Sequence, residues 1–174
     1  MFSTEPRIPP LGQPPEEGEL VRDFAITLAR GGPTQLSHIC GSRNLILVLG
    51  GDEPSAKMLR MLSDSSAALR EEDTVVLAIV PGISRESAEI PRRGGGLAFA
   101  LIADEDLHLH EKLGALDAAG RPAAAVLIAD RYLRIAMARR AQRGQMLPTR
   151  EEVLQCLRAI NLQCPECGVA EWPA

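Results

Sequence analysis

Aromatic residues are scarce in this 174-residue chain: Phe2, Phe24, Phe99, Tyr132 and Trp172 make up 3% of it. A surface built to stack bases or sugar rings needs more. Positive charge is not in surplus either. Nineteen Lys and Arg stand against 23 Asp and Glu, a formal net charge of −4, which argues against a general nucleic-acid or anionic-membrane binder. No apolar run approaches the roughly 18 residues of a membrane-spanning helix. Near Met1 no basic stretch leads into an apolar one, so no secretory signal is expected. Cysteine is limited to Cys40, Cys156, Cys164 and Cys167, and only the last two are close together. That is not the framework of a small disulfide-built secreted protein, and a reducing, cytoplasmic setting is the expectation.

Hydrophobic residues are 45% of the chain, enough for one sizeable core. Pro6, Pro9, Pro10, Pro14 and Pro15 mark residues 1–19 as an extended, loosely held arm. A main domain is expected over 20–162 and a short tail over 163–174. Strands are predicted at Asp23–Leu28, Asn44–Leu49, Thr74–Val80 and Leu97–Ile102, and a strand pair at Ala124–Ala129 and Leu133–Ala138. Between them, Glu53–Arg70 has helical spacing with Asp52 or Glu53 near its cap. Ser84–Arg93 and Leu107–Leu113 are shorter helices, and Gly94–Gly96 reads as a flexible loop. Thr149-Arg-Glu-Glu152 is a capping box opening a last helix whose apolar face is Val153, Cys156, Leu157 and Ile160. Alternating strands and helices define an α/β fold, a central mixed sheet with helices on both faces.

Several phrases within this order resemble one family. Gly18-Glu-Leu-Val-Arg-Asp23-Phe24-Ala-Ile-Thr-Leu28 is similar to its opening, and Gln35-Leu36-Ser37, Gly41 and the Leu45–Leu49 strand to the passage that follows. Ile102-Ala-Asp104-Glu-Asp106 with Leu113-Gly114, and Ile128-Ala-Asp130-Arg131-Tyr132-Leu-Arg-Ile135, match its aspartate turn and hairpin. The chain resembles the thioredoxin-fold redoxins of the peroxiredoxin branch, the alkyl hydroperoxide reductase and thiol-specific antioxidant family. The resemblance implies a thioredoxin-like fold and thiol-dependent antioxidant or oxidoreductase activity. It also implies a peroxidatic cysteine in the first turn of the helix after Asn44–Leu49, where helix amides and a nearby Arg favour thiolate.

The family pattern there is Pro-x-x-x-Thr/Ser-x-x-Cys. This chain reads Gly51-Asp-Glu-Pro-Ser55-Ala-Lys-Met58. Ser55 fits, but Gly51 replaces Pro and Met58 stands where the nucleophile belongs. A thioether has no proton to lose. Asp52 and Glu53 would oppose a thiolate, and Arg121-Pro122, a turn proline beside a surface arginine, lies too far from Asp130 to take the family's Arg or cis-Pro role. The site is therefore expected to be degenerate.

What remains is Cys164-Pro165-Glu166-Cys167-Gly168. Its Pro and Gly suit a knuckle that points two sulfurs at one metal, a zinc half-site completed by a second chain in a homodimer. The same pair could instead be a redox dithiol served by a thiol reductase or a disulfide partner, or plain reduced thiols. Cys40 is read as lying in a linker, and Arg139, Arg140 and Arg143 as a charged loop. His108 and His110 stand two apart on a short helix and so face different ways; that helix is read as solvated and capped by Asp104 or Asp106 rather than as a metal site. The reading is a redoxin-like protein with a degenerate peroxidatic site, acting through or stabilised by its tail. The alternative is a non-catalytic interaction module or zinc-knuckle dimer subunit.

Overall fold

In the computed structural model, the structure describes residues 7–27, 33–41, 43–50, 52–82, 100–141 and 146–163. Seven strands are found among them: β1 (Ala25–Thr27), β2 (Pro33–Gln35), β3 (Asn44–Leu49), β4 (Thr74–Pro81), β5 (Ala100–Asp104), β6 (Ala125–Ala129) and β7 (Ile135–Arg140). Five helices accompany them: α1 (Leu36–Cys40), α2 (Glu53–Asp64), α3 (Ser66–Glu71), α4 (His108–Lys112) and α5 (Arg150–Asn161). The main sheet has the order β5-β4-β3-β6-β7, parallel on the β4 and β5 side and antiparallel on the β6 and β7 side. β1 and β2 form a separate antiparallel pair.

All six residues of β3 are buried, because a continuous apolar run must be covered on both faces. Its side chains alternate between two cores. Leu45, Leu47 and Leu49 join Phe24, Leu36, Cys40 and Leu113 on one face. Ile46 and Val48 join Met58, Leu62, Val153 and Leu157 on the other. Thus α1 and α4 cover one side of the sheet while α2, α3 and α5 cover the other, as the expected mixed sheet requires.

The helix caps follow the sequence. Asp52 accepts a hydrogen bond from the Ser55 amide, and Thr149 and Glu152 close the capping box. The expected helix to Arg70 breaks at Ser65 instead. The Ser65 hydroxyl donates to the Met61 carbonyl at 2.8 Å, and Asp64-Ser65-Ser66 is a run whose side chains compete for backbone partners. The strand placed at Leu97–Ile102 runs to Asp104, with its first described residue at Ala100. The helix expected over Ser84–Arg93 and the Gly94–Gly96 loop lie outside the described residues.

Two expectations are corrected on the face holding α1. Cys40 is not in a linker: it ends α1 and is buried. That helix begins where Asp23 accepts from the Ser37 amide at 3.1 Å and hydroxyl at 2.7 Å, so two separate family-like phrases meet in space. Residues 7–19 are not a loose arm either. The Leu20 amide donates to Arg7, the Gly18 amide to Ile135, the Ile135 amide to Glu19, and the Arg22 guanidinium to Pro9. The segment thereby occupies part of the exposed edge of β7, as an edge strand demands.

Gly114 fixes where the segment lies. Its φ is +62°, and a Cβ there would overlap the backbone of Gln13 and Pro14. Gly114→Ala is expected to cost about 1–3 kcal/mol and to free residues 7–17 from the domain. A lower unfolding midpoint together with faster proteolysis confined to that segment would verify it; an unchanged cleavage pattern would refute it.

Candidate functional site

The β3 strand ends at Leu49, and the chain turns through Gly50 into α2. Gly50 has φ +120°, and a Cβ on it would press on the Ala124 Cα at 3.1 Å and the Ser55 Oγ at 3.3 Å. The turn is therefore packed tightly against the start of β6, and the residue facing it there is an alanine. This is the place where the family resemblance puts the reactive thiol.

Its polar groups satisfy one another. Asp52 Oδ1 accepts the Ser55 amide at 3.1 Å and lies 2.9 Å from the Ser55 Oγ, which also has the Asp52 carbonyl at 2.9 Å. Ser55 is buried, so its one hydroxyl proton is shared between two acceptors of a single residue. A carboxylate already occupies the electropositive end of α2, where a thiolate would be stabilised. Met58, one turn further on, is 3% exposed and packs into the core beneath α2 and α5. The thioether acts as core packing.

The groups that flank the turn pair with each other. Arg121 is exposed and pairs with Asp117 through its Nη2 at 2.8 Å and its Nε at 2.9 Å. The Arg121 amide, which donates to the same carboxylate, and then this side-chain contact hold the Asp117 carboxyl below its usual range. Among the described residues no peptide bond is cis, that of Pro122 included. The turn proline and surface arginine are as expected.

Neither described thiol is poised for attack. Burial pushes Cys40 up to about 11, with Arg43 opposing and Asp23 adding to the rise. Cys156 packs at the margin of the second core and is also raised, by burial first and then by Glu17, against Arg139. Both remain protonated at neutral pH and are weak nucleophiles. Cys164 and Cys167 lie outside the described residues.

Two further clusters differ from expectation. His108 is exposed and His110 fully buried, so the two histidines do face different ways. The helix is not solvated throughout, however. Asp104 is buried, accepts the Leu109 and His110 amides at 3.0 and 2.9 Å, and has His110 Nδ1 2.6 Å from its Oδ2. A carboxylate that must satisfy two helix amides and an imidazole belongs in the interior. The spacing Asp104-x5-His110 was the only sequence signal. Arg139 and Arg140 lie in β7 rather than in a loop: Arg139 reaches Glu17 at 2.9 Å, and Arg140 donates to the carbonyls of Gly114 and Leu116. Among the described residues no group of three or more His, Cys, Asp or Glu is placed to hold a metal ion. No described helix is long and apolar enough to cross a membrane.

The sheet order, the helix placement and the turn into α2 define a peroxiredoxin-like thioredoxin fold. The chain is similar to peroxidoxin BcpB from Mycobacterium tuberculosis, with TM-score 0.66 and 18% identity over 82% of this chain and 96% of that one. It is similar to the reduced 2-Cys peroxiredoxin of Plasmodium vivax, with TM-score 0.67 and 14% identity over 85% and 83% of the two chains. A thiol peroxidase from Chromobacterium violaceum gives TM-score 0.66 and 17% identity over 87% and 91%. At such identities the likeness establishes the fold. No protein-family model matches the sequence, and no curated protein matches it.

Two outcomes follow from this geometry. Met58→Cys alone is expected to react with hydrogen peroxide no faster than a free thiol, because burial disfavours its thiolate and Asp52 keeps the helix amides occupied. Stopped-flow peroxide consumption measures this, and a rate constant of peroxidase magnitude would contradict it. The second concerns Cys40. Its folded-state pKa lies above the ordinary thiol value of 9, so the stability that it contributes is complete below about pH 9 and is lost as pH rises toward 11. Denaturant titrations should show a loss of about 2 kcal/mol across that interval that is absent in Cys40→Val.

Proposed function

We propose that this protein is a thiol-redox-related member of the peroxiredoxin-like fold class in which thiol chemistry resides on Cys164 and Cys167. The observation that carries the reading is the turn into α2: Asp52, Ser55 and Met58 fill the position of the reactive thiol with groups that cannot form one. Cys40 and Cys156 are held protonated by burial, which directs attention to the remaining pair. In this reading the Cys164 thiolate attacks a partner disulfide and forms a mixed disulfide. Cys167 then displaces the partner thiol, so two electrons and two protons pass to the substrate and the tail becomes a disulfide. A thiol reductase or a second thiol partner restores it.

A second reading is favoured by Pro165 and Gly168, which suit a metal knuckle more than the helix start that usually activates a redox cysteine. There, Cys164 and Cys167 supply half of a four-thiolate zinc site, and the same residues of a second copy complete it in a homodimer. The chain would then serve as a non-catalytic interaction module of this fold.

The deciding experiment is metal analysis with thiol titration on protein purified under reducing conditions, followed by equilibration in glutathione redox buffers. The redox reading predicts metal-free protein in which two thiols disappear together, and in which Cys164→Ser abolishes that step and disulfide reduction with it. Zinc at one per two chains, lost in Cys164→Ser, would replace this reading with the knuckle. Peroxide turnover undiminished in the Cys164→Ser/Cys167→Ser double variant would defeat both.

A further inference from the structure

On the face of the sheet opposite α2 lies a cavity of about 410 Å³, within the range of small-molecule pockets. Pairing register builds its floor. Leu49 of β3, Ala125 of β6 and Arg140 of β7 stand side by side, and Leu127 and Ala138 form the next row. Two of these positions are alanines, which fill little of the space above the sheet; Leu49, Ala125 and Leu127 are nearly covered, and Ala138 is partly exposed. Leu113 closes one wall, and residues 14–17 form the rim.

Among the described lining residues Arg140 is the one cation, beside the apolar floor, Leu113 and the acidic Glu16 and Glu17. It is half-buried, and its Nη2 is anchored by two neutral acceptors, the carbonyls of Gly114 and Leu116. Among the described residues no carboxylate pairs with it and none accepts from its Nε or Nη1. The two rim carboxylates do not remove this demand. Glu17 is engaged by Arg139 at 2.9 Å, and Glu16 is exposed, where water screens it. A half-buried guanidinium without a counter-anion lacks the partner that its planar fork suits best.

We propose that this pocket binds a medium-chain monocarboxylate, its carboxylate on Arg140 and its alkyl chain over Leu49, Ala125, Leu127 and Ala138. The carboxylate supplies acceptors to the guanidinium, and the chain occupies the space between the sheet and residues 14–17. Recognition of the head group by charge distinguishes this site from a general greasy groove.

Titration calorimetry with octanoate and octan-1-ol tests it. Octanoate is expected to bind one per chain, at least tenfold more tightly than octan-1-ol. Arg140→Met should weaken octanoate at least tenfold and leave octan-1-ol unchanged. Ala138→Leu, which keeps Arg140 but fills the floor, should weaken both ligands, and thermal unfolding verifies that each variant is folded. Equal affinity for octanoate and octan-1-ol in the unaltered protein, wild-type octanoate affinity in Arg140→Met, or no octanoate binding at millimolar concentration would each overturn the proposal.

Discussion

Everything in this fold hangs on burying β3 from both sides. Its Asn44–Leu49 run has no polar face to give to solvent, so the chain must supply one layer of helices for Leu45, Leu47 and Leu49 and another for Ile46 and Val48. The parallel partner β4 and the antiparallel partner β6 then fix its register on both edges. The start of the strand is tied down by Asn44, whose amide donates to the Glu72 carbonyl and to Asn161 at the end of α5. With one end locked and both faces filled, the position of the other end is determined. Leu49 and Gly50 can lie in only one place.

That end carries two surfaces with opposite electrostatic outcomes. On the α2 side the helix N-terminus offers free amides and a partial positive charge, an environment that stabilises a thiolate in a redoxin. Here Asp52 answers that field from within the chain, and Ser55 spends its hydroxyl on the same residue. The turn is chemically finished, and Met58 continues the core beneath it. The cap at Asp52 and the apolar Met58 one turn on are compatible neighbours at this helix start. A carboxylate cap and a neighbouring thiolate would repel each other, whereas a carboxylate cap and a thioether coexist without cost.

Much of this was legible in the sequence because the signals were local. The apolar run of β3, the capping box at Thr149 and the cap at Asp52 each reside within a few residues. What was not legible depended on contacts between distant segments. Period alone separated His108 from His110, but only the fold reveals that Asp104 turns inward to meet the His110 ring and two amides. Cys40 read as linker because a five-residue helix leaves little periodic trace, and Asp23 starts it from fourteen residues away. The prolines of residues 7–19 read as a free arm, since nothing in their spacing announces Gly114 as the contact that receives them. Ser65 broke a helix that its neighbours' spacing would have continued, by a hydroxyl bond that the apolar period does not register.

Arg140 is the counterpart of Asp52 across the sheet. Both stand beside the end of β3, and Leu49, Ala125 and Arg140 are neighbours in one cross-strand row. Asp52 finds its compensation in the helix that it caps; among the described residues Arg140 finds neutral carbonyls. A charge held partly out of water among neutral dipoles is less well compensated than one with a counter-ion, and burial accordingly pulls the arginine below its ordinary value. Among the described residues, the turn into α2 is therefore the electrostatically satisfied end of β3, and the less compensated charge lies on the reverse face of the sheet. Binding strength is gained where a ligand supplies an interaction that the protein does not already make for itself. By that criterion, the proposed carboxylate site lies at Arg140, on the side of the sheet covered by residues 14–17, rather than at the turn into α2.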